Sequence, residues 1–122
     1  MIGVLAATWV ATNAAGGISC APGFRGMASV LRHNPNLVVD RATADRPWDV
    51  YRLPADQTWP EVEVRVSHPG ASAHPAIIRR RIDHDAAGEH RMVAVCCWAD
   101  RLSCSRLAED QGLATQLHRS AR

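Results

Sequence analysis

The chain of 122 residues contains no lysine, so all 14 of its basic side chains are arginines. A GC-rich genome accounts for such a bias, but the bias also has a physical consequence. Each positive side chain is a planar guanidinium, which suits bidentate contact with phosphate and stacking on nucleic-acid bases. Because the net charge is only +2, a nucleic-acid site has to be a local patch of the surface.

Aromatic residues are also scarce, at 5% of the chain, so the core has to rest on valine, leucine, isoleucine and alanine. The hydrophobic share of 47% and the charged share of 21% are typical of a globular protein. No internal repeat or low-complexity tract is present. A chain of this length forms one domain, which we place over residues 1–122.

Long apolar runs are missing as well. Residues 1–24 carry no charge, but their apolar run over residues 2–11 is shorter than the ~20 residues that a transmembrane helix needs. No positive charge precedes this run, whereas a secretory signal normally begins with one. We expect residues 2–11 to form a first strand or a buried helix, with export as the alternative, and we expect no membrane partner.

No pair of cysteines has the two-residue spacing of a zinc or redox motif. The four are Cys20, Cys96, Cys97 and Cys104. Two of them fall inside an apolar run, where a reduced thiol behaves as a small apolar group. We therefore expect four thiols in a reducing cytoplasm. The six histidines match no known metal-site spacing, so neither a metal nor a cofactor is expected.

The longest continuous pattern runs from residue 61 to residue 101. Residues 61–67 alternate between charged or polar side chains and three valines, which predicts a half-buried strand. Predicted strands over 76–82 and 91–99 follow, joined by polar links that contain glycine, as in an antiparallel meander. The last strand is apolar on both faces and should lie centrally in the sheet.

The valine face of the first of these strands should pack against the core. Val64→Asp is therefore expected to bury an unpaired carboxylate and to unfold the domain. Glu63→Lys on the opposite face is expected to be nearly neutral.

Weaker patterns flank this module. Helical spacing of Phe24, Met27, Val30 and Leu31 predicts a helix over 24–33, ended by the proline at position 35. Residues 37–39 form either a short strand or a packing contact, and 48–53 a short strand. A final helix is predicted over 103–119, capped by Ser103 or Ser105, with Gly112 as a weak point. The fold class is α+β, with one or two N-terminal helices, an antiparallel sheet of about four strands and a C-terminal helix.

Three consecutive arginines, Arg79, Arg80 and Arg81, are the most unusual local feature. In a strand, Arg80 shares a face with two isoleucines, and this more apolar face is expected to pack. Arg79 and Arg81 then project outward with Arg65, either as functional groups or as a solvated face paired with nearby carboxylates. Arg80 has to extend to solvent, meet a carboxylate or line a cleft.

The hairpin over 61–83, with its arginine-rich second strand, resembles the middle hairpin of RelE/ParE-superfamily toxins, in particular the phage-derived HigB-like branch. The apolar strand that ends at Trp98, the pair Asp100-Arg101 and the following helix are similar in order and spacing, so that the resemblance covers roughly residues 59–119. The chain departs from the family where it has Pro75 or Ala76 in place of an arginine, and where Asp100 and Arg101 replace two lysines.

The resemblance implies a toxin of a toxin–antitoxin pair that acts as a ribosome-associated mRNA interferase, an endoribonuclease. In such enzymes arginines stabilise the phosphate while the 2′-hydroxyl of the messenger attacks it. Arg65, Arg80 and Arg101 are the catalytic candidates that it implies. The candidates for RNA contact are Arg79, Arg81 and Arg91, with Trp98 as a stacking platform. The implied partners are RNA, the ribosome and an antitoxin protein.

Two other functions remain open on the sequence. In the first, the chain is a non-catalytic domain that binds a small ligand or a protein, and Arg80 and Trp98 line its pocket. In the second, the reading frame encodes no evolved function. A glycine-rich phosphate loop, a nucleophile–base arrangement and paired carboxylates cannot be identified in the sequence.

Overall fold

A computed structural model describes residues 9–12, 20–54, 61–113 and 118–119. Over these residues the chain forms seven strands in one antiparallel sheet and two helices. In chain order the elements are β1 (Trp9–Thr12), α1 (Gly23–Arg32), β2 (Val38–Asp40), β3 (Trp48–Leu53), β4 (Glu61–Ser67), β5 (Ala76–Asp85), β6 (Gly88–Cys97), α2 (Arg101–Asp110) and β7 (His118–Arg119). The α+β class is therefore confirmed. The link over 55–58, most of the run over 2–11 and the predicted helical residues 114–117 lie outside the described residues.

The strand order is β2-β3-β4-β5-β6-β1-β7. Strands β4 to β6 form the predicted meander, and β3 and β2 continue it on one side. Strand β6 lies between β5 and β1, so its central position is confirmed. The sheet exceeds the expected four strands because three short strands, β1, β2 and β7, extend its two sides. Strand β5 continues to Asp85 and pairs with β6 down to Gly88, which leaves a two-residue turn between them.

Helix α1 packs on the face of the sheet that carries the β4 valines. Its Ala28 is buried against Tyr51, Val66 and Ile77, with the side chains of Phe24, Met27, Leu31 and Val64 packed around them. Val30, which the spacing had assigned to the packed face, is 70% exposed. The predicted helix and its end before Pro35 are confirmed.

Helix α2 packs on the opposite face. Its Cys104, Leu107 and Ala108 form one buried cluster with Ile78 and Val95 of the sheet. Because a helix covers each face of the sheet, both sides of β5 and β6 are packed. The more apolar face of β5 is therefore not its only packed face, and the prediction that its other face projects outward does not hold.

The prediction of a helix over 103–119 is wrong at both ends. Asp100, and neither predicted serine, caps α2: its carboxylate accepts a hydrogen bond from the Ser103 amide at 3.0 Å. At the other end Gly112 adopts φ +73°, and the Leu113 amide donates to the Ala108 carbonyl at 3.0 Å. This arrangement is a Schellman motif, in which a left-handed glycine ends the helix and a following apolar residue packs back on it.

The prediction of four thiols is also wrong, because all four cysteines are paired. Cys20 bonds Cys96, with 5.9 Å between the Cα atoms, and Cys97 bonds Cys104, with 5.7 Å between theirs. Successive residues of a strand point to opposite faces of a sheet. Cys96 therefore meets the cysteine that precedes α1, whereas Cys97 meets the cysteine within α2. Two adjacent positions of one strand thus link both helix layers to the sheet.

Candidate functional site

A cavity of about 470 Å³ opens on the α2 face of the sheet, beside the C-terminal end of that helix. Strands β4, β5 and β6 supply one wall, and the end of α2 supplies the other. Ile82 and Val93 give the cavity an apolar side. The polar lining consists of Glu61, Glu63, Arg80, Arg91, Asp110 and Gln111.

Glu63 is the charged centre of this wall. Its side chain is 21% exposed, and its Oε1 accepts hydrogen bonds from Arg65 Nε at 2.7 Å and from Arg80 Nη1 at 3.3 Å. Its Oε2 lies 3.7 Å from Arg52 Nε. The register explains this convergence, since Glu63 stands opposite Arg52 on one side and Arg80 on the other. Three guanidiniums therefore share one carboxylate.

Arg80 meets two of the three conditions expected for an arginine among isoleucines. It finds a carboxylate in Glu63, and it lines a cleft. Its Nε donates to Gln111 Oε1 at 3.1 Å, and its Nη2 donates to the same oxygen. Burial and the like charges of Arg65 and Arg91 lower the pKa of Arg80 from its ordinary value, while Glu63 acts in the opposite direction. Helix α2 and strand β4 thus hold this guanidinium from two sides.

The structure brings together two of the three predicted catalytic residues. Arg65 and Arg80 meet at Glu63. Arg101 is the first residue of α2, whereas the cavity lies beside the last one. At a rise of ~1.5 Å per residue, the first and last residues of this helix are about 13.5 Å apart. Arg101 therefore lies outside the cavity.

The predicted RNA-contacting residues are divided between the two faces of the sheet. Arg91 lines the cavity with Arg80. Arg79 stands opposite Val64, and Arg81 stands opposite Val62, so both lie on the α1 face. The expectation that they share a face with Arg65 is wrong, because Arg65 stands opposite Ile78 in the actual register. Arg81 Nη2 donates to Met92 Sδ at 2.6 Å on that face.

Trp98 lies at the α1 side of the sheet and packs with the core. Its ring contacts Phe24 edge to face, with 5.9 Å between the ring centroids. Its backbone amide donates to the Pro75 carbonyl at 2.9 Å, directly after β6. This half-buried ring is a packing element, and it does not line the cavity that contains Arg80.

The sequence predicted carboxylates near the arginines, but it did not indicate that Glu63 and Gln111 together hold Arg80. The alternation predicts that Glu63 lies on an outer face that tolerates substitution, although the pattern Glu63-x-Arg65 places opposite charges on one side of a strand. The expectation that Glu63→Lys is neutral does not fit the three arginines around it. Gln111 carries no local signal, because its role depends on where α2 ends.

A second polar cluster lies at the other end of β4. His68 Nε2 is 2.9 Å from Asp49 Oδ2, and Asp49 Oδ1 accepts from the Ala42 amide at 2.7 Å. Burial raises the pKa of Asp49, but the hydrogen bonds from His68 and Ala42, together with the charges of His68 and Arg41, outweigh burial and leave the pKa below the ordinary 3.8. Ser67 Oγ and His74 Nδ1 are 2.8 Å apart. Both histidines thus have partners that hold the loop between β4 and β5.

Within the described part of the chain, no group of three or more histidine, cysteine, aspartate or glutamate side chains is placed to hold a metal ion. In that same part, no helix has both the length and the apolar character needed to cross a membrane. Comparison of the chain with protein-family models, with curated proteins and with solved structures gives no match. The resemblance to RelE/ParE toxins therefore remains a prediction.

Proposed function

We propose that the chain is a non-catalytic domain that binds a small polar ligand in the cavity beside α2. The observation that carries this proposal is the position of Arg80, which lines the cavity while Glu63 and Gln111 hold its guanidinium. A volume of about 470 Å³ is within the range of small-molecule sites. A side chain fixed in advance loses little conformational freedom when a ligand binds, which favours affinity.

The two disulfides support an oxidising compartment for this ligand-binding domain. Disulfides persist in secreted and periplasmic proteins and are rare in the cytoplasm, where thiols are kept reduced. The cytoplasmic location expected from the sequence applies only to the second candidate function, the mRNA interferase described below.

The ligand-binding proposal is tested by titrating isotope-labelled protein with a panel of small polar metabolites and following its amide resonances. Ligands should shift the resonances of the cavity residues, and Arg80→Ala should weaken binding and lower the melting temperature. Arg79→Ala is the matched control, because Arg79 is an exposed arginine on the opposite face. A panel without a single binder, or shifts confined to other parts of the protein, would refute the proposal.

The second candidate is the mRNA interferase that the resemblance implies, with RNA, the ribosome and an antitoxin as partners. One observation favours it: Arg65, Arg80 and Arg91 lie on one face of the sheet, where they can meet a phosphate. The disulfides weigh against it, because its substrate is in a reducing compartment.

Induced expression and a cell-free translation extract separate the two candidates. An interferase arrests growth and cuts the messenger, and Arg80→Ala lowers cleavage by roughly two to three orders of magnitude. Its RNA binding also weakens as salt is added. Wild-type protein that neither arrests growth nor cleaves or blocks messenger removes this candidate and leaves the ligand-binding proposal intact.

A further inference from the structure

Opposite charges line the same cavity beside α2. Three carboxylates and two guanidiniums line it, so that side chains of both signs are present in one cavity. A ligand with a single charge would meet side chains of its own sign as well as of the opposite sign, and that repulsion is costly. A neutral ligand with two opposite charges avoids that cost and still gains both electrostatic contacts.

Apart from Glu63, which contacts Arg80 directly, the two kinds of charge are carried by different parts of the wall. Arg80 and Arg91 belong to neighbouring strands, β5 and β6. Glu61 begins β4, and Asp110 is the last residue of α2. The negative end of a helix dipole lies at its C-terminus, where it favours a cation. Asp110 adds a carboxylate at that same end.

We propose that the cavity binds a small zwitterion, in which a carboxylate and an ammonium group are joined by a short apolar chain. This inference rests on the proposed ligand-binding function. The carboxylate lies against Arg80 and Arg91, and the ammonium lies against Glu61 and Asp110. Ile82 and Val93 contact the chain between them. A sphere of the cavity's volume is roughly 10 Å across, enough for a linear chain of about six carbons. Free amino acids and their longer-chain analogues belong to this chemical class.

Three probes of equal length test the proposal by calorimetry: 6-aminohexanoate, hexanoate and hexylamine. The zwitterion should bind about tenfold more tightly than either singly charged probe, because each charged end adds a contact. Arg91→Gln should weaken the binding of 6-aminohexanoate and hexanoate and leave the binding of hexylamine unchanged. Asp110→Asn should weaken the binding of 6-aminohexanoate and hexylamine and leave the binding of hexanoate unchanged. Glu109→Gln is the control, since Glu109 is an exposed neighbour of Asp110 and does not line the cavity.

Each outcome decides the matter. If the zwitterion and either singly charged probe bind with equal affinity, the proposal that the cavity contacts both charged ends is overturned. Binding that responds to Glu109→Gln as strongly as to Asp110→Asn overturns the assigned ammonium contact. If none of the three probes binds while the metabolite panel finds another ligand, the zwitterion proposal fails and the ligand-binding function stands. If no compound of the metabolite panel binds either, both proposals fail.

Discussion

Removing the two disulfides one at a time should reveal how differently they stabilise the fold. The pair Cys20–Cys96 spans 76 positions of the chain, whereas Cys97–Cys104 spans only 7. The two double variants, Cys20→Ala/Cys96→Ala and Cys97→Ala/Cys104→Ala, each remove two buried sulfurs. Their losses of packing are therefore similar, and the difference between them reports mainly on loop closure.

The magnitude follows from the chain-entropy model of cross-links. Closing a loop of this longer span in the unfolded chain lowers its entropy enough to stabilise the fold by about 4.5 kcal/mol, and the shorter span gives about 2.5 kcal/mol. The variant without the long-range disulfide should consequently be less stable by about 2 kcal/mol than the variant without the local one.

Guanidinium unfolding of the oxidised proteins, followed by tryptophan fluorescence, measures these free energies. Alkylation of the denatured wild-type protein without reductant should modify no cysteine, because none is free. Four alkylated cysteines would refute the disulfides. Equal free energies of unfolding for the two double variants, or the reverse order, would refute the loop-closure argument.

Three further predictions concern charged side chains. Glu63→Lys replaces a carboxylate shared by three arginines with a cation and should cost about 2 kcal/mol in thermal or denaturant unfolding, whereas a neutral result would contradict the contacts. Because the pKa of Asp49 is lowered in the folded protein, its carboxylate stabilises the fold above the unfolded pKa of 3.8, and this stability is lost as pH falls through the folded pKa. Asp49→Asn should therefore make the free energy of unfolding depend less on pH in the acid range, and an unchanged dependence would refute the role of the carboxylate. Asp100→Ala should lower the melting temperature by removing the α2 cap, and an equal decrease for the exposed Glu109→Ala would show that the cap does not matter.

Local patterns predicted the elements whose signals are local. The alternation over 61–67 and the short strand predicted over 48–53 match β4 and β3 residue for residue. The helix over 24–33 differs from α1 by one residue at each end. In each case the periodicity of the side chains or a proline boundary sufficed, because the relevant contacts repeat every two residues or every three to four.

Long-range contacts explain what the sequence did not predict. The disulfides depend on which cysteines the register and the two helix layers bring together, and vicinal cysteines in a strand could have indicated one partner on each face. The face assignment of Arg79 and Arg81 failed because the hairpin register between β4 and β5 depends on a long loop that lacks a diagnostic turn. Arg80 was identified as a residue in need of a partner, but Gln111 is 31 positions away.

The way in which α2 is attached has a mechanical consequence. The helix is bonded to the sheet at Cys104, and Gln111 at its far end holds Arg80. Gln111 follows Cys104 by seven positions, a distance of about 10 Å along the helix, so that a tilt of about 6° would move the Gln111 side chain by about 1 Å. A displacement of that size is enough to break a hydrogen bond. A tilt of that size would leave Arg80 held by Glu63 alone, so the contact with Gln111 depends on the buried Leu107 and Ala108, which fix the helix on the sheet.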